Sequence, residues 1–274
     1  MKTFRHGETI QEMLKEEKDP RRTMYLNEIN LQYKKWNAAY LEITSNSPDQ
    51  LKEKIALYSD YRSFLFSKKF REENTFLRER KLFETALSEF IYYIMKDIDI
   101  FEDKNFFLDR AEIPIGFKVD YDSIENIKNE NIIDISKQKM RLIIGRDFDF
   151  KYRVSGRKSY INETIVLPFV TVSTALVLDE WYLLKLQNQV KKIKTFFPRL
   201  LCLLVCEVVN DDFNIDLKDI DIDGIYVLQR QTTTMKRRKI SYEVISSFLN
   251  KVESHLASPK ESIIKKVETG VLIG

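Results

Sequence analysis

The first hundred residues carry apolar and charged positions in a helical rather than an alternating arrangement. Segments 28–42 and 49–66 mix both kinds of residue without the period of a strand, and Ser47-Pro48-Asp49 supplies a break and a cap between them. The clearest helix is predicted for residues 78–97, where Phe83, Leu87 and Phe90 belong to one apolar stripe. We therefore predict a helical N-terminal region over residues 1–98.

Strand patterns begin further along the chain. Residues 114–131 interrupt the helical pattern and predict extended or looped chain. From Arg141 the period becomes two: Phe148, Phe150, Tyr152 and Val154 share one face, which predicts a half-buried strand. Segment 164–178 is almost continuous in β-branched and aromatic residues, so we expect a strand in the middle of a sheet, covered on both faces.

The following segment has the order of a crossover unit. Asp179 is the expected N-cap of a helix that ends at Pro198, and residues 200–209 form the next buried strand. A strand, a helix and a strand in this order predict parallel pairing. With a strand at 224–230 and a helix at 241–257, the chain predicts an α/β core over residues 99–274.

Composition limits the class of protein. The 274 residues are 43% hydrophobic and 12% aromatic, with 7 Gly and 6 Pro, which argues for a mixed globular fold and against disorder. Residues 1–10 are polar and no apolar run is long enough for a membrane span, so we expect a cytoplasmic protein that is not exported. Cys202 and Cys206 lie in an apolar run without further ligands and are expected to be inert core thiols.

Several familiar chemistries have no support in the sequence. The run from Asp219 to Gly224 imitates a calcium loop, but the twelfth position, where a bidentate carboxylate is needed, is Arg230. His6 and His255 stand alone, without a Ser or Cys at a useful spacing. No glycine-rich nucleotide motif occurs. These observations leave metal-assisted or binding functions.

The distribution of charge matters more than its total. The net charge is only +3, yet six aspartates gather in residues 211–223 and basic residues form local clusters. Such clusters are either solvated surface or sites for DNA phosphates. The candidate phosphate contacts are Lys191, Lys192, Lys194, Lys236, Arg237, Arg238 and Lys239.

The order of elements resembles the PD-(D/E)XK nuclease core, and segments within residues 75–274 resemble the BbvCI-type heterodimeric type II restriction endonucleases. The family has a helix with Glu-Phe and an aromatic pair, a Phe-x-x-Gly strand, an acid-x-Lys trio with apolar flanks, a basic helix ended by proline, and an Ile-Tyr-Val-Leu-Arg-x-Gln segment. The matching stretches here are Leu87-Ser-Glu-Phe-Ile-Tyr-Tyr-Ile94, Leu142-Ile-Ile-Gly145, Leu167-Pro-Phe-Val-Thr-Val172 with Leu178-Asp179, Lys191-Lys-Ile-Lys-Thr-Phe-Phe-Pro198 and Ile225-Tyr-Val-Leu-Gln-Arg-Gln231.

The resemblance implies Mg²⁺ chemistry, but the sequence departs from the family at the catalytic positions. The family's glutamate corresponds to Ser173 and its lysine to Ala175, while Arg141 stands where an acid is expected before the Leu142 strand. Serine brings no formal charge to Mg²⁺, alanine cannot orient water, and arginine repels the ion. These three residues mark the positions of lost catalytic groups.

Other residues could still carry catalysis. Asp149 could approach the site, and Glu89 keeps the family's helix glutamate. Both are weak candidates, since a solvent-facing strand position explains Asp149, and a helix edge explains Glu89, better than catalysis does. A ligand could also have migrated to Asp179 or Glu180, with Lys185 in place of the lost lysine. Acidic residues at a helix N-terminus explain the first two without chemistry.

The first hypothesis is therefore a DNA-binding, catalytically impaired subunit that acts with a homologous partner in cleavage of double-stranded DNA. Gln229 and Gln231 are possible base readers, or simply solvated strand-end residues. The second hypothesis is a self-sufficient Mg²⁺-dependent endonuclease with a migrated active site. The third is a non-catalytic regulatory module on a nuclease fold.

Overall fold

The structure is a computed structural model that describes residues 5–67, 80–98, 106–119, 133–153, 160–235 and 238–257. Helices and strands follow the order predicted from the sequence. The helices within these ranges are α1 (Arg5–Glu16), α2 (Pro20–Leu41), α3 (Pro48–Leu65), α4 (Arg80–Lys96), α5 (Glu180–Phe196) and α6 (Tyr242–Ala257). The strands are β1 (Phe107–Val119), β2 (Ile133–Tyr152), β3 (Ile161–Leu178), β4 (Leu201–Val209) and β5 (Gly224–Val227).

Local sequence signals set the helix boundaries. Asp19 caps α2 by accepting a hydrogen bond from the Arg21 amide, and Pro20 occupies the first turn, where a missing N–H costs nothing. Asp179 caps α5 by accepting from the Tyr182 amide at 2.7 Å, as predicted. The start of α5 is therefore fixed directly after β3, and this fixes the helix over the sheet.

The five strands form one mixed sheet in the order β1-β2-β3-β4-β5. Strands β1, β2 and β3 pair antiparallel, whereas β3, β4 and β5 pair parallel. The predicted position of β3 in the middle of the sheet and its parallel pairing with β4 are confirmed. The antiparallel hairpin β2–β3 and the parallel unit β3–α5–β4 thus meet on one central strand.

The alternation of side chains along the strands divides the core in two. One hydrophobic cluster joins α1, α2, α3, α4 and α6 to one face of the sheet, and includes Leu142, Ile144 and Val172. A second cluster lies under α5 and includes Ile143 and Ala175. The helices of the N-terminal region therefore share a continuous core with the sheet.

A buried ion pair fixes α3 to the sheet. The Arg62 guanidinium donates through Nε to both carboxylate oxygens of Glu207 on β4, at 2.7 and 2.8 Å. The Tyr58 hydroxyl donates to the same carboxylate at 3.1 Å. Burial alone would make this charge costly, and the hydrogen bonds compensate for it.

Two strand predictions need correction. Phe148 is exposed rather than half-buried, because this end of the β2–β3 hairpin extends past the elements that would cover it; Val154 lies outside the described residues. The strand predicted for 224–230 ends at Val227, and Arg230 has a left-handed backbone with φ of 48°.

The structure can be compared with two further expectations, one about the cysteines and one about membrane-spanning helices. Cys202 and Cys206 are buried, and burial raises the pKa of their thiols to about 11 and about 12, respectively, so both are inert as predicted. Within the described part of the chain, no helix combines the length and apolar character needed to cross a membrane.

Candidate functional site

A cavity of about 170 Å³ lies where β2, β3 and α5 meet. Arg141, Ser173 and Lys185, three residues singled out from the sequence, line it together. It also contains Glu84 of α4 and Lys139 of β2. We call this space the Arg141 cavity. It adjoins a larger cavity of about 660 Å³, since Glu84, Lys139 and Arg141 line both.

Strand register explains why residues 32 positions apart come together. The antiparallel ladder pairs Leu142 with Val172, so Arg141 and Ser173 are the next positions along the two strands. Lys139 precedes Arg141 by two residues on β2, beside a register shift between β1 and β2, and lines the same cavity. The Asp179 cap starts α5 close enough for Lys185, in its second turn, to reach the cavity.

The Arg141 cavity is predominantly basic. Lys139, Arg141 and Lys185 contribute three cations, against one carboxylate from Glu84. Among the described residues, Arg141 has neither an ion pair nor a hydrogen bond through its side chain. Lys139 lies 3.6 Å from Glu112 in an exposed pair, and the Lys185 ammonium stands 4.9 Å from the centre of the Trp181 ring.

These residues do not fit a magnesium site. Mg²⁺ requires oxygen ligands, usually with one or two carboxylates, and the cavity offers one carboxylate among three cations. No group of three or more His, Cys, Asp or Glu side chains that could hold a metal occurs in the described ranges. Of the two positions that the family resemblance assigns to acids, Arg141 carries the opposite charge and Ser173 carries none.

Ala175 lies beneath α5 rather than in the cavity. It is buried and belongs to the hydrophobic cluster that contains Leu183 and Leu186. Ser173, two residues earlier, is half-buried and lines the cavity. A lysine at position 175 would place its ammonium group among apolar side chains, whereas a larger polar residue at position 173 would reach the cavity.

Glu89 is a structural residue of the helical layer and not a helix-edge residue. Its side chain is fully buried and accepts hydrogen bonds from the Tyr33 hydroxyl at 2.8 Å, the Tyr93 hydroxyl at 2.9 Å and the His6 amide at 2.8 Å. The His6 amide belongs to the first turn of α1, so the carboxylate caps that helix. Glu89 does not line the Arg141 cavity.

His6 completes this buried network. Its Nε2 lies 2.5 Å from the Tyr61 hydroxyl and its Nδ1 lies 3.0 Å from the Thr85 hydroxyl, which itself donates to the Leu82 carbonyl. Thr85 therefore accepts from Nδ1–H, and the ring is neutral. Burial lowers the pKa of His6 to about 3. Burial also raises the pKa of Glu89 to about 7, although its hydrogen-bond donors oppose the shift.

The acids proposed for a migrated site do not converge. Asp149 is exposed and accepts from the Thr164 hydroxyl at 2.6 Å; it lies eight residues from Arg141 along β2, a separation of about 26 Å in an extended strand. Asp179 is engaged as the cap of α5, and Glu180 accepts from the Asn214 amide at 3.0 Å. Of the predicted migrated set, only Lys185 lies in the cavity.

The two glutamines are inaccessible to a DNA base. Gln229 is 1% exposed, and its amide donates to Glu207 at 3.4 Å, within the buried ion-pair network. Gln231 is 6% exposed, and its side-chain oxygen accepts from the Arg238 amide at 2.6 Å. The strand-end solvation interpretation is wrong, because both side chains are covered by the chain. Base reading stays a prediction that this arrangement does not support.

The basic clusters occupy opposite ends of β4. Lys194 pairs with Asp223 at 2.7 Å, and Asp223 also accepts from the Cys202 amide at the start of β4. The loop that contains Arg238 follows the other end, where the Val209 amide donates to the Gln231 carbonyl. Cys202 and Val209, the two contact points on β4, are about 23 Å apart along the strand. Lys191, Lys192, Arg238 and Lys239 are exposed, and Lys236 and Arg237 lie outside the described residues.

The two charged residues of the cavity that the sequence analysis missed are Glu84 and Lys139, and the sequence contains a signal for each. Glu84 precedes Glu89 by five residues, which turns it about 140° around the helix axis and toward a different face. Lys139 is a second basic residue close to Arg141 in the sequence of β2. Helix phase indicates separate surroundings for Glu84 and Glu89, and the nearby basic charge was the signal for Lys139.

Comparison with known proteins finds a solved structure with a similar fold. Neither a protein-family model nor a curated protein matches the sequence. Among solved structures, the native BbvCI A2B2 tetramer matches with a TM-score of 0.72 at 13% identity, over 94% of this chain and 98% of that one. The resemblance to BbvCI, first indicated by short sequence segments, is confirmed at the level of the fold. The match includes the helical N-terminal region as well as the sheet.

Proposed function

We propose that this chain is a DNA-binding subunit with a PD-(D/E)XK-type core whose nuclease centre has lost its metal site, and that it acts with a homologous partner on double-stranded DNA. The observation that carries the proposal is the Arg141 cavity. It lies at the strand positions that the family resemblance assigns to catalysis, and it holds three cations and one carboxylate.

A surface for the DNA backbone is available beside this cavity. Lys185, Gln189 and Lys192 lie on one side of α5, because residues four and seven apart share a helix face. Lys185 and Gln189 line the cavity, and Lys192 is exposed about 10 Å further along the helix. Phosphate contacts of this kind fix a protein on a duplex without reading its sequence.

The partner subunit is inferred from the fold neighbour. BbvCI was solved as an A2B2 tetramer, an assembly of two kinds of chain. In such an assembly, a chain without a nuclease centre can contribute DNA contacts while its partner cuts one strand. The same argument makes Mg²⁺ a cofactor of the partner and not of this chain.

A self-sufficient nuclease with a migrated site has less support, because Asp149 lies at the far end of the β2–β3 hairpin from Asp179 and Glu180, and all three acids are engaged in other hydrogen bonds. A regulatory module on the same fold is the remaining alternative. Purification of the chain from its native cells, with identification of the associated protein, would distinguish the two functions. A homologue with an intact acid-x-Lys trio would support the DNA-binding subunit. An unrelated protein would support the regulatory module.

DNA binding can be tested directly by fluorescence anisotropy with a labelled duplex over a range of KCl concentrations. We expect the Lys191→Ala/Lys192→Ala variant to flatten the log–log salt slope by about 0.9 for each lost phosphate contact. Lys34→Ala/Lys35→Ala removes a similar exposed pair from α2 and is the control. A wild-type chain that does not bind duplex DNA at low salt would overturn the proposed function.

A further inference from the structure

We propose that the Arg141 cavity is a phosphate-binding site, in which a DNA phosphate group is held by protein cations without a metal ion. This inference rests on the proposed function and names the ligand of its central site. A metal nuclease neutralises the phosphate with Mg²⁺ held by acids. Here the acids are missing, and basic side chains supply positive charge at the same place.

The donor set suits an anion with several oxygens. The Arg141 guanidinium can offer two parallel N–H groups to a phosphate, and no described residue occupies them. Lys139 and Lys185 add two point charges, and Ser173 and Gln189 add neutral donors. The cavity, at about 170 Å³, exceeds the roughly 30 Å³ that a water molecule occupies in the liquid several-fold, so it has space for a phosphate group.

Removal of the Glu84 charge should change phosphate binding in opposite directions for a metal-free site and for a Mg²⁺ site. Its carboxylate is the one acid in the lining, and it repels a phosphate that has no intervening cation. Removing its charge should therefore strengthen phosphate binding. If the cavity instead held Mg²⁺ between acids and DNA, the same change would weaken binding, because the ion would lose its ligand.

The test measures wild type, Arg141→Gln and Glu84→Gln with two probes, a labelled duplex and inorganic phosphate, in EDTA and in Mg²⁺ at equal ionic strength. We expect Arg141→Gln to weaken duplex binding about tenfold and to flatten the salt slope by about 0.9, and Glu84→Gln to tighten binding. EDTA should not weaken the wild-type complex. Arg21→Gln, an exposed arginine on α2, is the matched control. Thermal unfolding shows whether each variant is folded.

The two probes separate this inference from the proposed function. Duplex binding that is unaffected by Arg141→Gln would overturn the phosphate site and leave the DNA-binding function intact. Binding of inorganic phosphate that depends on Arg141, without duplex binding, would support the site and overturn the function. Loss of binding in EDTA, or weaker binding by Glu84→Gln, would show a metal site and contradict the inference. Binding of neither probe would overturn both.

Discussion

Helix α4 carries two glutamates in opposite surroundings, and their comparison separates structure from function in this chain. Glu89 is buried in the helical layer and accepts hydrogen bonds from His6 of α1, from Tyr33 of α2 and from Tyr93 of its own helix. Glu84, five residues earlier, lines a cavity of basic side chains. The glutamate that follows the family pattern stabilises the fold, whereas the other one belongs to the candidate site.

The same contrast holds for whole regions. In the helical layer, charged groups are buried in pairs or networks, as in Arg62 with Glu207. In the Arg141 cavity, like charges are placed together and Arg141 has no described partner. Like charges placed together repel one another, and a bound anion would relieve this repulsion. Substitutions should therefore affect folding in the first region and ligand binding in the second.

The largest effect is expected from Arg62→Ala. The variant would leave Glu207, whose side chain is 3% exposed, as a buried carboxylate without its cation. We expect the free energy of unfolding to fall by about 3–5 kcal/mol. Chemical denaturation measures this, and Arg21→Ala at an exposed position should change little. A loss below about 1 kcal/mol for Arg62→Ala would show that the pair does not hold α3 on the sheet.

A smaller effect is expected from Glu89→Gln. Glutamine keeps one oxygen but turns an amide toward groups that donate to Glu89, so at least one buried donor loses its acceptor. The expected loss is about 1–3 kcal/mol. Glu84→Gln is the same substitution on the same helix, and we expect a clearly smaller change. Equal losses in the two variants would contradict the assignment of Glu89 to the structural network.

The difference in the free energy of unfolding between wild type and Glu89→Gln should become smaller as the pH rises. The pKa of Glu89 rises from 4.5 to about 7 on folding, so its contribution to stability is complete below pH 4.5 and is lost as the pH rises through 7. Glutamine does not titrate, and the stability gap between wild type and variant should therefore shrink between pH 5 and pH 8. Denaturation at several pH values measures the gap; a gap that widens would reject this environment for Glu89.

His6 contributes with the opposite sign in wild type. Its pKa falls from 6.5 to about 3 on folding, so its contribution is present above pH 6.5 and is lost as the pH falls toward 3. Wild-type stability alone would therefore mix two opposing slopes. His6 is present in both proteins, so subtracting the free energies of unfolding of wild type and Glu89→Gln leaves the contribution of the Glu89 titration.

The smallest effect on stability is expected from Arg141→Gln. The side chain is exposed and has no described partner, so the free energy of unfolding should change by less than about 0.5 kcal/mol. A calorimetric scan is sufficient to check this. A large loss would mean that Arg141 stabilises the sheet, and a structural role would then explain its presence in the cavity without a ligand.

Sequence patterns predicted most elements because the apolar runs are long and their periods distinct. Strand β3 and helix α5 follow directly from the β-branched run and from the Asp179 cap. Strand β1 was harder, since it contains Pro114 and Gly116. It is an edge strand with a register shift between these two residues, and proline is tolerated at such a position.

The site was only partly predictable, because burial of polar groups depends on distant partners. Gln229 looks like an exposed strand-end residue until Glu207 and Arg62 are brought beside it by the fold. Glu89 is likewise explained by His6 and Tyr33, 83 and 56 residues away. Arg141 and Ser173 were singled out through the family resemblance, and the strand register of the structure then brought their positions together. Local periodicity in the sequence does not show which distant residues contact one another.

The central claim is that this chain binds DNA without cutting it, and incubation of the purified chain with a duplex DNA library in Mg²⁺ or Mn²⁺ tests it most directly. The chain is assayed alone and with its co-purified partner, and cut ends are sequenced. We predict no cleavage by the chain alone, and strand nicking when the partner is present. Cleavage by the chain alone that disappears in Lys185→Ala or Glu84→Gln would contradict the account and establish an active centre in the Arg141 cavity.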